Sequence, residues 1–301
     1  MKRWLLKLHR WIALAFALPL AAVVLSGALL AVEPWLVSAS STPGSLDAER
    51  IGRLLREHDP EGRARSIAHR SYDGTMTISV GREGSTVVDV ATGARVAAPS
   101  MLSDALRTAR RLHETLLWDA GWLVEASTVA MLVLTLLGVA MGWPRLSNTL
   151  WGWHAALAWL PLPLVVLSPL TGLMLAYGVT LAPPLPRPAG TGAPTLEAAV
   201  RTLGAGHDLS GLVWLRPQGG RMLARIVEDG EYRVYAIGQG DVVVAPRNWP
   251  RLWHEGTFAG MGSSLLNLAA AFAMFGLVLT GPWLWWRRLR RRRRVAPPTA
   301  A

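Results

Sequence analysis

Four of the seven histidines in this 301-residue chain stand at repeated positions, and imidazole is a metal-ligating side chain. His9 precedes Gly27 by 18 positions and His154 precedes Gly172 by 18, with Ser26-Gly27 answered by Thr171-Gly172. His113-Glu114 and His254-Glu255 form a second matched pair, each histidine followed by a glycine eight positions later, at Gly121 and Gly262. Two imidazoles do not complete a zinc site, which takes four protein ligands when structural and three when catalytic. Haem iron already has four ring nitrogens and needs only two axial ligands. There is no cysteine, so attachment through Cys-x-x-Cys-His is excluded and the haem type that suits these residues is b. The spacing therefore predicts two haems b, with His9 and His154 as one axial pair and His113 and His254 as the other. Arg10, Arg111, Arg145 and Arg251 lie near the four histidines and suit propionate pairing. Each of these residues taken singly also reads as an ordinary interfacial polar group. Four histidines at matched positions argue for function, because ionisable groups at membrane depth are costly.

The elements that must position these residues are bilayer-length apolar segments. The chain is 51% hydrophobic and 17% charged, and about 20 apolar residues span a bilayer. Four stretches qualify, roughly 11–34, 121–143, 153–180 and 261–286. The net charge of +11 is concentrated where topology would place it. Residues 1–10, the 144–150 loop and the tail from Arg287 hold 12 basic residues and no acidic ones. The positive-inside bias then puts both termini and the middle loop in the cytoplasm and the two long loops outside, and it accounts for the basic balance without nucleic acid. Of the 15 tryptophans, 14 lie in or near the spans as expected of interface anchors; Trp214 is the exception. The apolar run of the first span is too long for a signal-peptide core and reads as a retained anchor.

The two long loops read as small external α+β modules of matching order. A helix from Ser45 precedes strands around Met76–Val80 and Val87–Val90, separated by Gly81-Arg82-Glu83-Gly84. In the second loop a helix near Thr195 precedes strands around 213–216, 222–227 and 232–237. Residues 233–246 lie without a gap over 86–99. The unit of span, module and span thus occurs twice in one orientation, a parallel repeat with a pseudo-two-fold axis along the membrane normal. The segments are 1–36 (lead and first span), 37–111 (first module), 112–144 (second span), 145–180 (loop and third span), 181–252 (second module), 253–286 (fourth span) and 287–301 (basic tail). Glu114 and Glu255 are candidates for orienting the imidazoles, Glu125 and Asn267 for a proton route or interhelical hydrogen bonds. His58, His69 and His207 lack repeated counterparts and read as solvated surface. No nucleotide-binding loop or Ser/His/Asp arrangement is present, so electrons would come from a membrane pool or a partner.

Leu8-His9-Arg10-Trp11-Ile12, Ser26-Gly27, Leu112-His113-x-x-Leu116, His154, Thr171-Gly172, His254-x-Gly256-Thr257 and Thr280-Gly281-x-x-Leu284-Trp285 together resemble the PepSY-associated transmembrane proteins. This iron-regulated inner-membrane group includes dihaem ferric-siderophore reductases. The resemblance runs from residue 1 to about 290 and makes the external segments PepSY-like. It implies a b-haem protein of the bacterial inner membrane, ligated by His9, His113, His154 and His254. Such a protein moves electrons outward to reduce periplasmic Fe(III), commonly siderophore-bound, to Fe(II), with a quinol pool or a partner reductase as donor. Two rivals remain: a non-redox anchored module that binds a peptidase or other partner, and a metal or siderophore transporter subunit. A second span continuous from His113 to Trp143 would set ligands at its two ends some 40 Å apart, at about 1.5 Å per residue, a long distance for transfer between haems. A bend at Gly121 and Gly262 would shorten it.

Overall fold

The computed structural model describes residues 2–81, 84–144, 146–185 and 192–295. Its helical part begins with α1 (Lys2–Ala15), α2 (Ala17–Leu30) and α3 (Glu33–Ser40). The helix α4 (Ala48–His58) leads into the strands β1 (Ser66–Arg70), β2 (Thr75–Ser79) and β3 (Ser85–Asp89), and α5 (Met101–Thr115), α6 (Gly121–Ala140), α7 (Leu150–Trp159) and α8 (Leu162–Ala176) follow. The chain then gives α9 (Leu196–Gly204), β4 (Leu212–Gln218), β5 (Arg221–Glu228), β6 (Glu231–Ile237) and β7 (Val242–Val244), and ends with α10 (Trp249–Glu255) and α11 (Gly260–Val295).

Three helices are long and apolar enough to cross a membrane, Ala17–Ser40, Gly121–Ala140 and Gly260–Arg290. The pair α7 and α8 makes a fourth if its 63° bend is counted within one span. Pro161 lies at the α7–α8 break, where a missing N–H and a fixed φ interrupt the helical ladder. The first span also departs from the expected continuous 11–34. It breaks at Phe16, so His9 sits on an amphipathic lead helix and the apolar helix starts at Ala17. Outward-facing Leu18, Leu136, Leu160 and Phe272 leave an apolar belt on the bundle, a surface that suits lipid. The exposed rings of Trp4, Trp11, Trp143, Trp151 and Trp153 lie toward one end of the helices, those of Trp118 and Trp122 at the start of α6 toward the other.

Helix packing follows the sequence repeat. The helix α2 packs on α5 as α8 packs on α10, α1 on α6 as α7 on α11, and α2 on α11 as α8 on α6. Small residues permit these approaches: a Cβ added at Gly276 would stand 2.5 Å from Leu157 Cδ1.

The sheet corrects the expectation of two separate small modules. All seven strands join in one antiparallel sheet of order β3-β2-β1-β4-β5-β6-β7. The halves meet where β1 pairs with β4, Ile67 opposite Leu215 and Ala68 opposite Trp214. One core serves both halves, with Ile51, Leu54, Ile67, Met76 and Val88 packed with Val200, Leu203, Leu215, Ile226 and Ile237. The expected strands 76–80, 87–90, 213–216, 222–227 and 232–237 are present within a residue or two, and β1 and β7 are additional. Residues 82 and 83 of the expected β2–β3 turn lie outside the described residues. The helix α4 starts at Ala48, past the expected Ser45, and is capped by Asp47, which accepts from Arg50 N at 2.7 Å; α9 begins near Thr195 as expected, and Thr195 caps it.

The three remaining histidines are structural, and the surface reading fails for two of them. His69 is 9% exposed, and its Nδ1 lies 3.1 Å from Leu212 O across the β1–β4 seam. The His58 side chain is 6% exposed, with Nε2 2.8 Å from Gly93 O. His207 is half-buried beside Glu228, at 2.8 Å. Truncation at the seam tests whether the halves are one cooperative unit. Ile67→Ala opens a cavity against Leu215 and is expected to destabilise the whole sheet domain by about 2–5 kcal/mol. Denaturant unfolding in detergent should then lose α4 and α9 in one transition at a lower midpoint.

Candidate functional site

His113 and His254 sit on short helices, α5 and α10, that stop before the apolar helices α6 and α11. The helix α5 ends at Leu116, in the left-handed conformation at φ 51°, and Leu117 and Asp119 also take positive φ. The helix α10 ends at Gly256, φ 66°. The chain then restarts at Gly121 and Gly260 as α6 and α11. His113 and His254 are therefore not the ends of long continuous helices. Each ring leans inward onto the apolar helix of its own half.

His113 Nδ1 lies 2.9 Å from Val23 O and 3.4 Å from Ser26 Oγ, while His254 Nδ1 lies 3.0 Å from Ser168 O and 3.3 Å from Thr171 Oγ1. Val23 to Ser168 and Ser26 to Thr171 is the same offset of 145 positions that relates Gly27 to Gly172, so equivalent rings meet equivalent atoms. The hydroxyls already donate to their own helix, Ser26 to Ala22 O at 2.6 Å and Thr171 to Leu167 O at 2.8 Å. The carbonyls can only accept, so both Nδ1 atoms carry the proton and both Nε2 atoms are left with a lone pair. Gly27 and Gly172 make room, since an added Cβ would stand 2.9 Å from His113 Cε1 and 3.1 Å from His254 Cε1.

The two rings face each other with centroids 5.9 Å apart and planes at 43°. Imidazole nitrogens bind a first-row metal at about 2 Å, so two rings sharing one ion bring their centroids roughly 6 Å apart. A cavity of about 490 Å³ surrounds them, lined by Gly27, Ala28, Gly121 and Gly172 and by the charged Arg110, Arg225, Arg251 and Glu255. Among the described residues no three His, Cys, Asp or Glu side chains converge to hold a bare metal ion. Two Nδ1-anchored imidazoles and glycine clearance fit a planar, iron-centred macrocycle such as haem b, and the walls carry both signs, three arginines and the four glutamates Glu33, Glu114, Glu125 and Glu255.

Arginines complete the cavity, with one change from the expected set. Arg251 lines it and pairs with Glu255 at 3.0 Å. Arg111 is exposed and outside the cavity lining; Arg110 lines it instead and pairs with Glu33. The repeat itself carries this signal, because Arg251 and Arg110 each precede their histidine by three positions, on one helical face. Glu255 turns from His254 toward Arg225 and Arg251. Burial alone raises its pKa, but the two guanidiniums outweigh that and hold it down at about 2. Arg225 was not foreseeable without knowing which face of β5 meets the bundle. Glu114, Glu125 and Asn267 also line the cavity, and Tyr177 donates to Glu125 at 3.2 Å.

The pair of His9 and His154 is less symmetric. His154 Nδ1 lies 2.7 Å from Thr280 Oγ1, whose own proton goes to Gly276 O at 2.6 Å, so His154 is again the donor. The ring lies over Gly281, with 3.7 Å to the position of an added Cβ. His9 lies within electrostatic reach of His154, and both carrier helices, α1 and α7, pack against α11. His9 Nδ1 and Arg10 Nε are buried without a partner of hydrogen-bonding geometry, the Leu134 carbonyl standing close to the imidazole. Orphaned buried polar atoms at both residues fit a group still to be bound there. Arg145 lies outside the described residues.

The docking at Val23 and Gly27 also shortens the path between the sites. His9 is 14 residues from Val23 and 18 from Gly27, at most about 21–27 Å of helical rise. The two pairs are not set at the ends of one continuous second span, because α5 and α6 are separate helices. Gly27→Val should push the His113 ring off Val23 O while His254 keeps its contact with Ser168 O. In protein labelled with 15N-histidine, only one of the two Nδ1–H resonances of His113 and His254 is expected to shift or disappear.

A comparison with curated proteins finds no match. The sequence profile of the PepSY-associated TM region covers residues 6–288, nearly the whole chain. This chain is accordingly a membrane protein belonging to the family of the PepSY-associated TM region.

Proposed function

We propose that this protein is a dihaem b electron carrier of the bacterial inner membrane that reduces ferric iron, as free complexes or ferric siderophores, on the periplasmic side. The observation that carries the reading is the pair of imidazoles, His113 and His254, with ring centroids 5.9 Å apart and each Nδ1 committed to a helix carbonyl, which leaves each Nε2 free to ligate. In this reading four spans form a tandem parallel repeat. Both termini are cytoplasmic, since the basic residues gather at residues 1–10 and after the last span, and the fused sheet domain lies in the periplasm.

Bound haem would supply one-electron transfer, with potentials set by its axial ligands and by burial. The chain's own residues do the rest. His113 with His254 and His9 with His154 hold the two groups at the two membrane faces. Ser168 O, Val23 O and Thr280 Oγ1 fix ring orientation and tautomer, which raises the basicity of the coordinating nitrogen. Arg110, Arg225 and Arg251 offer charge to propionates. The electron donor, in the absence of a nucleotide-binding loop, is a quinol or a partner reductase.

The test is a reduced-minus-oxidised visible spectrum with haem quantification on detergent-purified protein expressed with adequate haem. Two haems per chain are expected. His113→Ala and His254→Ala should each lose the same half, and His9→Ala and His154→Ala the other half. Haem-free protein would overturn the reading and leave the chain a membrane-anchored binding module. Haem lost only when both partners of a pair are removed would overturn the pairing.

A further inference from the structure

The face of the sheet opposite its core carries a second cavity, of about 790 Å³. Strand alternation creates it. Leu215, Ala224, Ile226 and Tyr235 point into the core, so Trp214, Arg216, Arg225 and Tyr232 fall on the other side. Six arginines line the cavity, Arg216, Arg221, Arg225, Arg233, Arg247 and Arg251, and no aspartate or glutamate does so among the described residues. Ion pairs beyond the lining occupy four of them: Arg225 and Arg251 with Glu255, Arg247 with Glu231, and Arg233 with Glu228 and Glu231.

Among the described residues Arg216 pairs with no carboxylate; it lies over the Trp214 ring, 4.3 Å from its centroid. Arg221 donates to Leu185 O, at 2.6 Å, and among the described residues to no acid. Arg225 is stacked 4.2 Å from the centroid of Tyr232. A guanidinium held over an aromatic ring is restricted in its motion and keeps its N–H donors for carboxylates, which it can grip in pairs. Four of the six charges are offset by Glu228, Glu231 and Glu255, so the positive field that draws anions comes from Arg216 and Arg221. Trp214, the one indole remote from the spans, stands in this cavity.

We propose that this cavity recognises a soluble polycarboxylate metal chelate and holds it as the anionic ferric substrate. The site stands on its own charge and shape; its role in delivery rests on the electron-transfer reading above. Arg225, Tyr232 and Arg251 line both this cavity and the one around His113 and His254. A chelate bound here is thus separated from the histidine cavity by a single layer of side chains.

The test uses gallium(III) citrate, which resembles the ferric complex and is not reduced, titrated calorimetrically into the full chain in neutral detergent. Binding that weakens with added salt is expected. Arg216→Gln and Arg221→Gln should each lower affinity about tenfold, with unchanged thermal midpoints, and Arg216→Lys should recover part of the loss. A cationic ferric trihydroxamate should bind far more weakly than the citrate complex. Equal affinity in wild type and the glutamine variants, or preference for the cationic complex, would overturn the proposal. So would displacement of the chelate by phosphatidylglycerol in nanodiscs, which would assign the arginines to a lipid headgroup. Reduction of ferric citrate by dithionite-reduced protein reads the other claim: binding without reduction leaves the site standing and removes the electron-transfer reading, and reduction without binding does the reverse.

Discussion

The arrangement depends on one constraint: an imidazole inside an apolar bundle has to satisfy its N–H, and a helix has few spare acceptors. Here the acceptors come from small-residue steps on α2 and α8. Val23 O and Ser168 O take the Nδ1 protons of His113 and His254 beside Gly27 and Gly172, where there is no side chain to keep the rings away. Once Nδ1 is spoken for, Nε2 keeps a lone pair free for a ligand. The breaks after α5 and α10 follow from the same need. The positive-φ residues Leu116 and Leu117 end α5 and free α6 to start in a new direction.

The two halves reinforce each other through different physics. Within the bundle they meet by helix packing, α2 on α11 and α8 on α6. In the sheet they are joined by backbone pairing at β1 and β4 and by one shared core. Two rings belonging to different halves hold a spacing of 5.9 Å because both connections set it. Flexibility at either one would let the rings drift apart, and a ligand would then have to restore the order itself.

The repeated histidines and the strands were legible in the sequence because they rest on local signals. The offset between His9-to-Gly27 and His154-to-Gly172 survives as equivalent contacts, and the alternation of Met222–Val227 survives as β5. What escaped was non-local. Nothing local in Ser66–Arg70 says that it will pair with a strand some 145 residues away, and with that pairing the two modules become one sheet and His69 becomes buried. Hydropathy placed the spans but was blind to the breaks at Phe16 and Pro161, which are backbone events. Arg111 was preferred to Arg110 by proximity, although the repeat register and the helical period both favour Arg110. The arginine cavity was invisible because its six side chains are scattered from Arg216 to Arg251 and gather only when the sheet has a face.

The central claim is that opposed imidazoles in this bundle share one iron-centred group. Low-temperature electron paramagnetic resonance of the oxidised, purified chain addresses it most directly, because the signal reports both axial ligands of the iron. Two bis-imidazole haems per chain would give low-spin ferric signals from two centres, one of which disappears in His254→Ala. A high-spin ferric signal alone, or low-spin centres unaffected by loss of His254, would contradict it.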